Sequence, residues 1–199
     1  MSVKCCVMSC IAATMMAASG TASAVTASLV GDKNGFGLDP SLQSGDPFDN
    51  FFIPYYDAAE GNITDRVIDT SFSFVHNYSV IGPILAASVE LLSGGWGLYG
   101  PASVYINDVL VGELSDGEIG LTEYVRLDIF DLTPLLAQLA LSGNDKVEIR
   151  PIAGGIELDS GALDYSLITV TAVPEPVSAG LVVLGLAVVG VAARRRVAA

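Results

Sequence analysis

The stretch Asp32-Lys33-Asn34-Gly35-Phe36-Gly37-Leu38-Asp39 places side-chain oxygens at its first, third and eighth positions, with two glycines between them that permit a tight loop. Oxygen donors so spaced form part of the pattern by which a loop surrounds a hard cation such as calcium. The further acidic positions and the closing bidentate glutamate of an EF-hand are missing. The same residues also read as an Asp/Asn/Gly turn whose side chains bond their own backbone. Other chemistry is thin. His76 is the only histidine and no Gly-x-Ser-x-Gly run accompanies it, so neither a hydrolytic triad nor a histidine-paired metal site has its parts. It is expected on the surface or at a strand end. Acidic residues are numerous enough for a carboxylate-dependent glycoside hydrolase, but their number singles out no pair, and the chain is read as non-enzymatic. Trp96 and Tyr99, in Gly94-Gly95-Trp96-Gly97-Leu98-Tyr99, could stack on sugar rings, or could pin their loop onto the body of the protein.

The elements that would position these groups read mostly as strands. Thr70 to Val75, Tyr124 to Phe130, Lys146 to Arg150 and Ser166 to Thr171 alternate polar and apolar residues, and Ala86 to Leu92 is an apolar-rich run. Ala102 to Ile106 and Val109 to Gly112 flank Asn107-Asp108, residue types that tolerate the positive φ of a two-residue hairpin. Between strands, Asp131 to Leu139 predicts one short helix with Thr133 as its N-cap and Pro134 in its first position. Many short strands and one helical turn over residues 25–172 predict a mainly β, antiparallel β-sandwich of one domain. All 22 acidic residues fall between Asp32 and Glu175, against five basic ones there, a balance of −17. Such a field repels phosphate backbones, which argues against nucleic acid as a partner and leaves divalent cations as plausible ones.

The two ends have a different character. Residues 1–24 carry Lys4, an apolar run and then Ala22-Ser23-Ala24, the order of a secretory signal peptide cleaved before Val25. Cys5, Cys6 and Cys10 all lie inside it, so the mature chain has no thiol and no disulfide, and its stability rests on packing. Near the C-terminus, Val177 to Ala193 is 17 residues without a charge, enough for a helix of roughly 26 Å that just spans a bilayer core of about 30 Å. Arg194, Arg195 and Arg196 follow, and positive residues beside a spanning helix stay on the cytoplasmic side. Pro174 and Pro176 hold the segment before the helix extended.

Residues 173–199, with Pro174-Glu175-Pro176, a short spanning helix and the Arg194–Arg196 cluster, resemble the PEP-CTERM sorting signal of exported bacterial proteins. The resemblance implies an exosortase-type processing enzyme as partner, transient anchoring in the inner membrane through the C-terminal helix, cleavage near the proline motif, and a structural or adhesive surface role linked to exopolysaccharide and biofilm. The run "YINDVLVGEL", with "FDLTPLL", "NDKVEIRP" and "LDYSLITVTAV", resembles galactose-binding-like jelly rolls. That second resemblance implies a jelly-roll topology and, as an alternative function, a carbohydrate-binding module with calcium support. It also implies that Asp159 and Asp164, in a late loop, join Asp32, Asn34 and Asp39 around the calcium.

Overall fold

The computed structural model describes residues 23–38, 41–48, 64–119, 122–154, 157–158 and 160–173. The chain divides into two units. One comprises residues 1–24, 81–83 and 173–199, and within it the Val173 N–H donates to the Pro83 carbonyl at 3.0 Å. The other, residues 25–80 and 84–172, is the body of the protein.

Two antiparallel sheets form a sandwich. The larger has the order β1 (Ala24–Gly31), β13 (Gly161–Ala172), β5 (Ile84–Gly94), β9 (Thr122–Asp131) and β2 (Pro47–Phe48), with β3 (Val67–Ile68) on β13 and β8 (Glu118–Ile119) on β9. The smaller runs β4 (Phe72–Asn77), β10 (Asn144–Arg150), β6 (Ser103–Ile106) and β7 (Val109–Glu113), and β11 (Ala153–Gly154) pairs with β12 (Glu157–Leu158) apart from both. The expected alternations appear as β4, β9, β10 and β13, and the apolar run as β5. Alternation explains the packing, because successive strand residues point to opposite faces. Phe74 of β4, Val147 and Ile149 of β10, and Val104 and Ile106 of β6 turn inward to meet Val89 and Leu91 of β5 and Ile168 and Val170 of β13. Each such side chain contributes roughly 1.5–3 kcal/mol by leaving water.

The hairpin forms where expected: Asn107 and Asp108 have φ of 49° and 66° and join β6 to β7. The Asn107 side chain donates to Asp145 Oδ1 at 2.8 Å and to the Leu139 carbonyl at 2.9 Å. Asp145 also accepts from the Tyr78 hydroxyl at 2.6 Å and from the Ser142 and Gly143 N–H groups, so this buried carboxylate is satisfied on all sides.

The helix differs from its expectation. Residues Thr133–Leu135 form a 3-10 turn that leads into the single α-helical turn α1 (Leu136–Leu139), and Leu132, not Thr133, occupies the cap position. The reason lies in the preceding aspartate: Asp131 Oδ1 accepts the Thr133 N–H at 2.9 Å, while the Thr133 hydroxyl is engaged with the backbone of Ala87.

A second, smaller core consists of Phe36, Phe48, Leu92, Val125, Ala162 and Tyr165, with Leu38, Leu42 and Leu167 against it. β5 supplies Leu91 to the first core and Leu92 to the second, so the second lies on the opposite face of the larger sheet. Its cover is the connection between β1 and β2, with Phe36 and Phe48 packed edge to face at 5.1 Å. Gly94 makes room for it, since a Cβ there would lie 2.7 Å from the Phe48 ring.

Candidate metal centre

Three aspartates from distant parts of the chain meet beside this second core. Asp32 follows β1, Asp65 precedes β3 and Asp164 lies in β13, and one carboxylate oxygen from each falls within 4.8 Å of the others. Backbone geometry brings them together. The Asp65 N–H donates to the Leu163 carbonyl at 2.9 Å, which seats residue 65 beside residue 164. Gly31, with φ of 81°, lets β1 end against the same point: a Cβ there would sit 2.2 Å from the Asp164 carbonyl oxygen and 2.9 Å from Thr64 Cγ2.

Electrostatics makes the arrangement costly as it stands. Two carboxylates at this separation repel by on the order of 3 kcal/mol at an effective dielectric of about 20. Asp65 and Asp164 are fully buried. Burial pushes the Asp164 carboxyl above the usual carboxylate range, against the pull of the Phe36 N–H, and the charge of Asp32 adds to the rise. Asp164 Oδ1 accepts that N–H at 2.8 Å, but its buried Oδ2 has no hydrogen-bond partner, and neither has the buried hydroxyl of Thr64 next to the cluster. A buried polar atom without a partner costs about 1–3 kcal/mol. A cation would relieve both costs at once. The donors are all oxygens, with no nitrogen or sulfur, which suits a hard ion such as calcium.

The expected ligand set is therefore altered. Asp32 and Asp164 are in the cluster. Asn34 is not: its amide donates to Asp32 Oδ2 at 2.7 Å and its oxygen accepts the Gly37 N–H at 2.6 Å, so it shapes the turn instead. Asp39 and Asp159 lie outside the described residues. Asp65 was not foreseen, and no spacing in the sequence marks it, because its place depends on a hydrogen bond to residue 163, almost a hundred residues away.

Next to the cluster, Lys33 pairs with Glu90 at 2.9 Å and lies 4.3 Å above the Tyr165 ring, while the Tyr165 hydroxyl donates to the same Glu90. That hydroxyl, with Lys33, holds the Glu90 carboxyl below its usual range.

The other candidates are placed differently from their expectations. Trp96 is 1% exposed, with its indole stacked on Phe72 at 6.2 Å and Gly161 directly beneath it, so no sugar reaches its face. Tyr99 is half-buried in the adjoining turn. His76 is buried rather than on the surface, because it shares the inward side of β4 with Phe74; its Nε2 is 2.9 Å from Ser166 Oγ, and burial lowers its pKa to about 4. Both partners of that contact are enclosed, so the serine meets no solvent. Ala24 and Val25, on either side of the expected cleavage, are exposed at the start of β1. Ala22, the sorting motif Pro174–Pro176 and the Arg194–Arg196 cluster lie outside the described residues, and among those that are described no helix is long and apolar enough to cross a membrane. On the outer face of the larger sheet a shallow trough of about 310 Å³ is lined by Ala86, Ser88, Ile129, Asp131, Thr169 and Thr171 among others.

Fold and site together define an acidic antiparallel β-sandwich with a buried cluster of carboxylates. No family model matches the chain, and no curated protein does. Among solved structures it is similar to the CBM36-1 domain of a multidomain xylanase from the hindgut metagenome of Trinervitermes trinervoides, at 10% identity and a TM-score of 0.34, covering 74% of this chain and 96% of that one.

Proposed function

We propose that the protein is an exported, non-catalytic β-sandwich module, braced by calcium at Asp32, Asp65 and Asp164, with a structural or adhesive role in an extracellular polysaccharide matrix. The observation that carries the calcium reading is the fully buried Asp164, whose Oδ2 has no hydrogen bond within a cluster of three carboxylates. Calcium bound there would supply the positive charge these residues lack. The signal-like residues 1–24 and the sorting-like residues 173–199 support export and processing by an exosortase-type enzyme.

Carbohydrate binding is the form of adhesion favoured by the trough beside β5, where Ser88, Thr169, Thr171 and Asp131 line a furrow bounded by neighbouring strands. Titration of the purified protein with CaCl2 in a calorimeter tests the site, with a dissociation constant near 10⁻⁴–10⁻³ M expected for an extracellular module. Pull-down on insoluble polysaccharide with and without chelator tests the role: retention lost on chelation supports it, and no retention in either condition removes carbohydrate binding. Mass spectrometry of protein recovered outside the cells tests delivery. Material that keeps residues 177–199 would contradict processing at the tail.

A further inference from the structure

We propose that cation binding at the aspartate cluster closes residues 33–38, the first half of the β1–β2 connection, as a roof over the outer face of the larger sheet, so that Phe36 completes the second core only in the metal-bound protein. The inference rests on the calcium reading above and adds a structural consequence to it. The connection enters at Asp32, one of the three carboxylates, and residues 33–38 touch the sheet at few points, whereas Ser44, Gly45 and Asp46 beyond them are hydrogen-bonded to β9. Lys33 reaches Glu90 and the Tyr165 ring, the Phe36 N–H reaches Asp164, and the Phe36 ring is buried against Phe48.

These holds are modest in number and work against strain. Phe36 has φ of 64°, a left-handed conformation that costs a non-glycine residue about 1–2 kcal/mol. Three carboxylates facing one another push Asp32, and with it the start of the roof, away from β13. A cation reverses that force and ties three segments to one point: the end of β1, the residues before β3, and β13. The first core involves none of these ligands. Its strands are held by ladders such as β10 on β4 and β13 on β5, and it does not need the ion.

Hydrogen exchange followed by mass spectrometry, run on the purified protein with CaCl2 or with chelator, separates the two claims. Peptides covering residues 33–38 should gain at least tenfold protection with CaCl2, while peptides of β10 and β6 stay unchanged. The Asp65→Asn variant, nearly isosteric, should lose the gain. Calorimetric binding of calcium with no change in protection of residues 33–38 would overturn the roof and leave the site standing. Absence of calcium binding would overturn both. A comparable loss of protection in β10 on chelation would also overturn it, because the metal would then hold the whole sandwich.

Discussion

The two faces of the larger sheet are covered by different means. One meets β4, β10, β6 and β7, regular strands whose inward residues interlock with those of β5 and β13. The other is covered near Leu92 and Tyr165 by an irregular connection that contributes Phe36, Leu38 and Leu42, packed beside Phe48 of β2. A strand-on-strand face is held at many evenly spaced points, and losing one leaves the rest. A loop-covered face is held at fewer points, and here the loop starts at a cluster of charges. Under the roof proposal the first core is permanent and the seating of Phe36 in the second is conditional on the ion.

The largest expected effects come from cutting each core and asking whether calcium matters. Ile149→Ala, in the first core, should cost about 2–5 kcal/mol in denaturant unfolding, with the same loss in calcium and in chelator. Phe48→Ala, in the second, should cost about 3–5 kcal/mol with calcium present and much less without it. Equal losses for Phe48→Ala in both conditions would erase the distinction.

Acid sharpens the comparison from the other side, because it reaches the permanent core. His76 has a folded pKa of about 4, below its ordinary 6.5. Between those values the unfolded chain takes up a proton that the folded one refuses, so stability falls as pH drops below 6.5 and the loss is complete near 4. The total is about 3 kcal/mol. Unfolding midpoints measured across this range in chelator should show the slope, and His76→Phe should flatten it.

Calcium itself should add about 2.7 kcal/mol when present at a hundred times its dissociation constant, read as a shift of the thermal midpoint. The smallest effect is expected for Lys33→Met. Its pair with Glu90 is half exposed, so its removal should cost less than about 1 kcal/mol while calcium binding persists.

How much of this was legible in the sequence follows the same division. The permanent core was, since the alternation in Phe72 to Asn77 and in Lys146 to Arg150 states which side chains turn inward, and Asn107-Asp108 states where the chain reverses. The same alternation, followed two residues past Phe74, points to a buried His76; its place at a strand end was as expected, but that place did not bring exposure. Trp96 misled because its flanking glycines look like an open loop, whereas the missing side chain of Gly161 is what lets the indole sink inward. The candidate metal centre was half legible. Asp32 stands in a recognisable oxygen-rich turn, but Asp65 is tied to Asp164 only through a backbone bond to β13, and long-range pairing leaves no local mark.

β13 runs unbroken from Gly161 to Ala172, hydrogen-bonded between β1 and β5, and the residues that follow lead directly toward Pro174. A load on the tail would therefore reach a strand bonded on both sides before any edge strand. A protein fastened by that end would resist tension best where it is held.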